Sequence, residues 1–170
     1  MPSDVKYDEH YRADPAACGP PFDEFAAFCS DAEPGSVLDL GCGQGRDALM
    51  FARAGHRVVG VDVSSVGIEQ LRDVARAEGL EVEAVVADTC AFQPEEGFDV
   101  VILDRVLHML AADARIPVLE TAMGAVTPGG HLLVAEGPRG MAPVRERVEE
   151  SGWSVVLAKT NRLIARRPND

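Results

Sequence analysis

The chain has 170 residues, a formal net charge of −12 and a pI near 4.7. Such an acidic excess repels polyanions and excludes a grip on a nucleic-acid backbone. The 46% apolar and 26% charged residues exclude wholesale disorder. No stretch reaches the roughly 18 apolar residues that a membrane span needs. The opening MPSDVKYDEHYR is polar and carries no signal-peptide core. The expectation is one domain in the cytoplasm, a monomer or homodimer, acting on a small molecule and not on nucleic acid or membrane. The cysteines Cys18, Cys29, Cys42 and Cys90 form no C-x-x-C pair, so neither a metal site nor a disulfide framework is expected.

Residues 1–35 differ in kind from the rest. They hold Tyr7, His10 and Tyr11, the turn Gly19-Pro20-Pro21 and an amphipathic helix over residues 22–28. They read as a cap over the open edge of a sheet, and residues 36–170 as the domain proper. Tyr7 and Tyr11 are spaced to share a helix face, where they serve either as a lid or as packing.

From residue 36, short β-branched runs alternate with helical patterns, the mark of βαβ units and a parallel sheet. SVLDL (36–40) is a strand ending at glycines, and 46–54 is a helix closed by Gly55. Residues 57–61 form the second strand. Residues 64–78 form the second helix, capped by Ser64 or Ser65 and ended by Gly79. Strands follow at 81–87 and 98–103, then a helix at 114–126 halted by Thr127-Pro128-Gly129-Gly130. Residues 131–135 are the fifth strand and 144–151 a short helix. The strands at 154–159 and 162–166 are joined by Thr160-Asn161, too short a link for a parallel crossover, so this pair is antiparallel.

The segment Asp39-Leu40-Gly41-Cys42-Gly43-Gln44-Gly45-Arg46 carries the chemistry. It leaves a strand and opens a helix, where α/β sheets bind nucleotides. A dinucleotide site needs G-x-G-x-x-G, and the third glycine is missing because position 46 is arginine. Asp39, just before the loop, disfavours a pyrophosphate and suits a cation. S-adenosyl-L-methionine carries an ammonium and a sulfonium and no phosphate. Asp62 ends the second strand about 20 residues after the first glycine, the spacing of a carboxylate that accepts ribose hydroxyls. Asp88, followed by Thr89, ends the third strand, where it can accept from an adenine amino group.

The run LDLGCGQGRDALMFARAGHRVVGVDVS resembles the class I S-adenosylmethionine-dependent methyltransferases, and within them the tellurite-resistance and thiopurine methyltransferase-like group. The resemblance spans roughly residues 36–136. It implies a Rossmann-like, doubly wound α/β fold with a mostly parallel seven-stranded sheet in the order 3-2-1-4-5-7-6, the last strand antiparallel and helices on both faces. It implies that Gly41, Cys42, Gly43 and Gly45 approach the methionine part of S-adenosyl-L-methionine, and that Asp39 orients its ammonium. Asp62 holds the ribose with Val63 against the adenine, Asp88 and Thr89 face the adenine edge, and Asp104 and Arg105 border the methyl group. Arg46 either approaches the cofactor carboxylate or lies on the helix surface.

Methyl transfer from a sulfonium needs positioning and desolvation, and a base only where the nucleophile is protonated. The catalytic candidates are Asp104, Arg105 and His108. A helix starting near Asp104 would place His108 one turn on, as base or as packing. Tyr7, Tyr11, Glu136 and Arg139 are candidates for substrate contact. His56 and His131 sit at the wrong ends of their strands and read as structural. With no acid–base dyad visible, the subgroup resemblance points to a soft nucleophile: a thiol, or a selenium or tellurium species. The product would be S-adenosyl-L-homocysteine. The alternative is a non-catalytic binder of cofactor and product, acting as regulator or partner subunit. An NAD-dependent oxidoreductase is disfavoured by the loop and by Asp39.

Overall fold

The structure, a computed structural model, describes residues 4–170. The chain divides into two compact units, one up to Ala91 and one from Phe92 onward. The first holds α1 (Asp4–Ala13), α2 (Asp23–Asp31), β1 (Ser36–Leu40), α3 (Arg46–Arg53), β2 (Arg57–Asp62), α4 (Ser65–Glu78) and β3 (Val82–Val86). The second holds β4 (Phe98–Asp104), a short 3-10 helix (Leu107–Met109), α5 (Arg115–Ala125), β5 (Val126–Ala135), α6 (Pro138–Glu150), β6 (Ser154–Ala158) and β7 (Arg162–Arg166). The strands form one seven-stranded sheet in the order β3-β2-β1-β4-β5-β7-β6. β1 to β3 pair in parallel, as do β4 and β5, while β7 runs antiparallel to both β5 and β6. This is the Rossmann-like order expected from the sequence.

In the first unit Leu38, Leu40, Phe51, Ile68 and Leu71 are sealed from solvent, and α3 and α4 bury one face each. α4 begins and ends by the expected chemistry. The Ser64 hydroxyl accepts from the Gly67 N–H at 3.0 Å, and Gly79 takes φ +66° while Leu80 N–H reaches back to the Ala75 carbonyl. In the second unit Ile102, Leu103, Leu119, Leu132, Leu133 and Leu163 form the core.

α1 packs on α4 and on the loop after β1. Three expectations are corrected. β5 begins at Val126 and not at residue 131, so Thr127-Pro128-Gly129-Gly130 and His131 lie within the strand. α6 begins at Pro138, not at residue 144. Gly137 is its extended cap, Pro138 needs no N–H partner at N1, and Pro143 is tolerated within it on the exposed side. No α-helix starts at Asp104, which is the last residue of β4. Arg105 takes φ +56°, a left-handed conformation uncommon outside glycine, and its N–H goes to the Ala135 carbonyl at 2.7 Å. Only a single 3-10 turn follows.

Candidate functional site

The loop Gly41–Gly45 is built by its glycines and by two strand-end aspartates. Gly41, Gly43 and Gly45 all adopt positive φ. At Gly43 (φ +55°) a Cβ would stand 2.6 Å from the Tyr11 hydroxyl and 3.3 Å from the Cys18 sulfur, so α1 and the segment after it lie directly over the loop. A side chain there would be both strained and obstructed.

Asp62, at the end of β2, accepts from the Gly43 N–H through Oδ2 at 2.9 Å and from the Ser64 N–H through Oδ1 at 2.8 Å. One carboxylate thus ties the glycine loop to the start of α4. It is 9% exposed, and burial raises its pKa above the ordinary carboxylate value. Each of its oxygens can accept more than one hydrogen bond, so these contacts, with a further one from the Val63 N–H, leave room for diol hydroxyls.

Asp39 has a support role that sequence reading did not foresee. The residue capping α3 is Gly45, which has no side chain to offer. Asp39 Oδ2 instead accepts the Ala48 N–H at 3.1 Å, at the third position of that helix, and so acts as an N-cap delivered from β1. The side chain is buried. Its pKa is pushed well above the carboxylate range, first by desolvation and then by the neighbouring Asp47 carboxylate.

Arg46 does not lie on the helix surface, its side chain being 9% exposed. Its guanidinium donates to the Cys18 carbonyl at 2.8 Å, pairs with Asp47 at 3.3 Å and lies over the Phe22 ring at 5.4 Å. It fastens the N-terminal segment to α3. Gln44, which the sequence did not single out, does the same from inside the loop. Its Oε1 accepts from the Cys18 N–H, and its Nε2 donates to the Asp14 carbonyl and to Gln70 Oε1; Gln70 in turn donates to the Tyr11 carbonyl. Asp8 was also missed. It accepts from the Ser64 hydroxyl at 2.5 Å and from the Val66 N–H, and these bonds lower its pKa. The signal available in the sequence was its spacing within YDEHY, a helical turn that presents Asp8 beside Tyr11.

Tyr7 and Tyr11 share the face of α1 that covers the loop, with ring centroids 6.4 Å apart. Burial, with the Asp62 charge second, raises the pKa of both phenols. His10 lies against Tyr11 at 5.9 Å. Cys42 is buried beside Gly60, and desolvation holds its thiol protonated. Asp88 accepts the N–H of Cys90 at 2.8 Å in the loop after β3, with Thr89 between them and half-buried like Val63. His56 is structural as expected: its Nδ1 accepts the Gly35 N–H and its ring packs on Phe51. The pKa of His131 is lowered by burial and by Arg166.

In the second unit, Asp104 pairs with Arg105 at 3.2 Å, the carboxylate buried and the guanidinium half-exposed. The structure brings together two candidates that the sequence kept apart: His108 Nδ1 lies 3.0 and 3.2 Å from the two carboxylate oxygens of Glu136. Arg139, in the first turn of α6, is exposed.

A mostly parallel sheet in this order, with a glycine turn after β1, buttressed by acids at the ends of β1 and β2, defines the class I methyltransferase fold. Residues 37–130 match the model of the family described as "Methyltransferase domain", and the chain belongs to it. S-adenosyl-L-methionine is the cofactor that comes with this membership, and the fold lies near the TehB-like group. The chain is 32% identical over 129 residues to the 27-O-demethylrifamycin SV methyltransferase of Amycolatopsis mediterranei, covering 71% of this chain and 47% of that protein. TehB from Haemophilus influenzae superposes with a TM-score of 0.74 at 18% identity, covering 95% of this chain and 67% of the other. A TehB-like methyltransferase from Corynebacterium glutamicum superposes with a TM-score of 0.74 at 24% identity, covering 98% of each. The chain spans about a third to a half of the length of the curated relatives it matches. Among the described residues no helix is long and apolar enough to cross a membrane.

Proposed function

We propose that this chain transfers the methyl group of S-adenosyl-L-methionine to a small molecule. The observation that carries the reading is Asp62, which braces the glycine loop through Gly43 and α4 through Ser64 while its oxygens retain acceptor capacity. In this reading Asp62 holds the ribose diol, the Gly41–Gly45 backbone faces the methionine part, and Val63, Asp88 and Thr89 border the adenine. Tyr7 and Tyr11 close over the loop and keep water from it. Asp104, Arg105 and His108 belong to the acceptor side, with Glu136 and Arg139 nearby on the same unit. The cofactor supplies an already activated methyl group, so the chain's own task is to orient and desolvate the nucleophile.

The acceptor is a small molecule, since the acidic surface opposes nucleic acid. The resemblance to the TehB-like group favours a thiol or a selenium or tellurium species. The relative from Amycolatopsis mediterranei is named for methylation at an oxygen, and the His108–Glu136 pair gives that second class of acceptor a physical basis.

Calorimetric titration with S-adenosyl-L-homocysteine, with NAD as control, tests the reading. Binding of the first alone is expected. Asp62→Ala should weaken it by about 1–3 kcal/mol, the cost of leaving buried hydroxyls without their acceptor. Unchanged binding in that variant refutes the ribose assignment. Binding without methyl transfer to any thiol, phenol, tellurite or selenite would favour a regulator over an enzyme.

A further inference from the structure

The reading of His108 from sequence left base and packing open. The second unit decides how that imidazole is held. Glu136 is the first residue beyond β5, and its side chain is completely buried, whereas His108 is 46% exposed. Glu136 is fixed by its neighbours: its N–H donates to the Asn161 carbonyl in the β6–β7 turn, and a Cβ at Gly140 would meet its Oε2 at 3.0 Å. The His108 turn is equally restrained. Leu107 is buried, and Arg115 donates to the carbonyls of His108 and Leu110. Both carboxylate oxygens lie within 3.2 Å of the single atom Nδ1. One N–H shared between two acceptors suits that geometry, whereas a carboxylic O–H would serve through one oxygen only.

We propose that Glu136 is a positioning residue which holds His108 as the Nδ1–H tautomer, so that Nε2, the ring nitrogen turned away from Glu136, takes the proton of an O–H acceptor. This rests on the methyltransferase reading above and narrows it to hydroxyl substrates. Carboxylate–imidazole pairs of this kind set tautomer and orientation in other acid–base sites. In the transfer, the acceptor O–H bond breaks and its proton goes to Nε2. The oxygen electron pair forms the O–CH3 bond, the C–S bond of the sulfonium breaks with its pair returning to sulfur, and the proton then passes from Nε2 to water. A soft nucleophile already deprotonated at neutral pH needs none of this. A buried carboxylate facing one half-exposed imidazole is therefore better matched to the harder acceptor.

The test uses the full chain, labelled with 15N-histidine, with the His108 signals assigned by their loss in His108→Gln. Long-range proton–nitrogen spectra should show Nδ1 protonated and Nε2 unprotonated in the wild type. Glu136→Gln preserves shape, but its amide can either donate or accept, so the single tautomer should give way to a mixture. A packing role alone predicts the same tautomer in both. A wild type with Nε2 protonated, or an unchanged tautomer in Glu136→Gln, overturns the proposal. The acceptor class is read with phenol and thiophenol as probes and radiolabelled S-adenosyl-L-methionine. Transfer to phenol, lowered about 100-fold in Glu136→Gln, is expected for loss of a general base. Transfer to thiophenol alone, or to neither, overturns the hydroxyl class. Titration of the same wild-type sample with S-adenosyl-L-homocysteine separates the failures: absent binding removes the underlying methyltransferase reading, while intact binding with the wrong tautomer removes only this inference.

Discussion

Asp39 offers the sharpest test of how the glycine loop is built. Its carboxylate substitutes for the side chain that Gly45 lacks and satisfies the buried N–H of Ala48. Asp39→Ala strands that N–H, in a residue with no solvent exposure. The lost cap and the unsatisfied donor are one bond seen from two sides, so the expected cost is about 2 kcal/mol and not their sum. For a chain of this size that corresponds to a fall in Tm of roughly 4–8 °C. Asp39→Asn keeps an oxygen for Ala48 and removes the charge, so it should cost under about 0.5 kcal/mol at neutral pH. Its sign with pH is also set. Desolvation and Asp47 raise the folded-state pKa of Asp39. The stability that this proton contributes is fully present below the unfolded value near 4, and is lost as pH rises through the folded value. Asp39→Asn should therefore gain on the wild type as pH is raised from about 4 toward 8. Urea denaturation of the three proteins across that range measures both effects. The reasoning fails if Asp39→Ala is neutral, if Asp39→Asn costs as much as alanine, or if the gap between wild type and Asp39→Asn does not move with pH.

Two further outcomes follow from the loop and its cover. Gly43→Ala should lose about 1–2 kcal/mol from the left-handed backbone, and binding of S-adenosyl-L-homocysteine should fall with it. Adding Tyr11→Phe removes the 2.6 Å obstruction, so full recovery in the double variant would show that the strain was misassigned. Gln44→Ala should release α1 while leaving the core intact, read as faster amide exchange in residues 4–14 with little change in β1 and β2; uniform acceleration through all of these would contradict a local tether.

Much of the architecture was legible because its signals are local. Alternating β-branched runs and helical stretches, Ser64 before a helix, Gly79 after it and the two-residue turn at Thr160-Asn161 each act within a few residues of chain. The glycine pattern and the acids at 39 and 62 were legible for the same reason, since strand-end position is itself a local property. By contrast, the start of α6 was not legible, because Pro143 ordinarily marks a helix boundary and here lies inside the helix, which forgoes one backbone bond and continues past it.

The sequence by itself thus determined which elements form, their order, and that the loop after the first strand suits a cofactor carrying positive charge. Only the tertiary structure decided what the side chains there are attached to. Asp39 serves as the cap of a helix that follows it by several residues, Arg46 and Gln44 donate to carbonyls of an N-terminal segment more than twenty residues earlier, and α1 lies over the loop. His108 and Glu136 are 28 residues apart and meet only because β4 and β5 are parallel neighbours in register, Asp104 beside Ala135. Spacing along the chain carries periodicity within one element, but a contact between two elements depends on how strands pair and which way each chain turns as it leaves the sheet, and no local pattern encodes that.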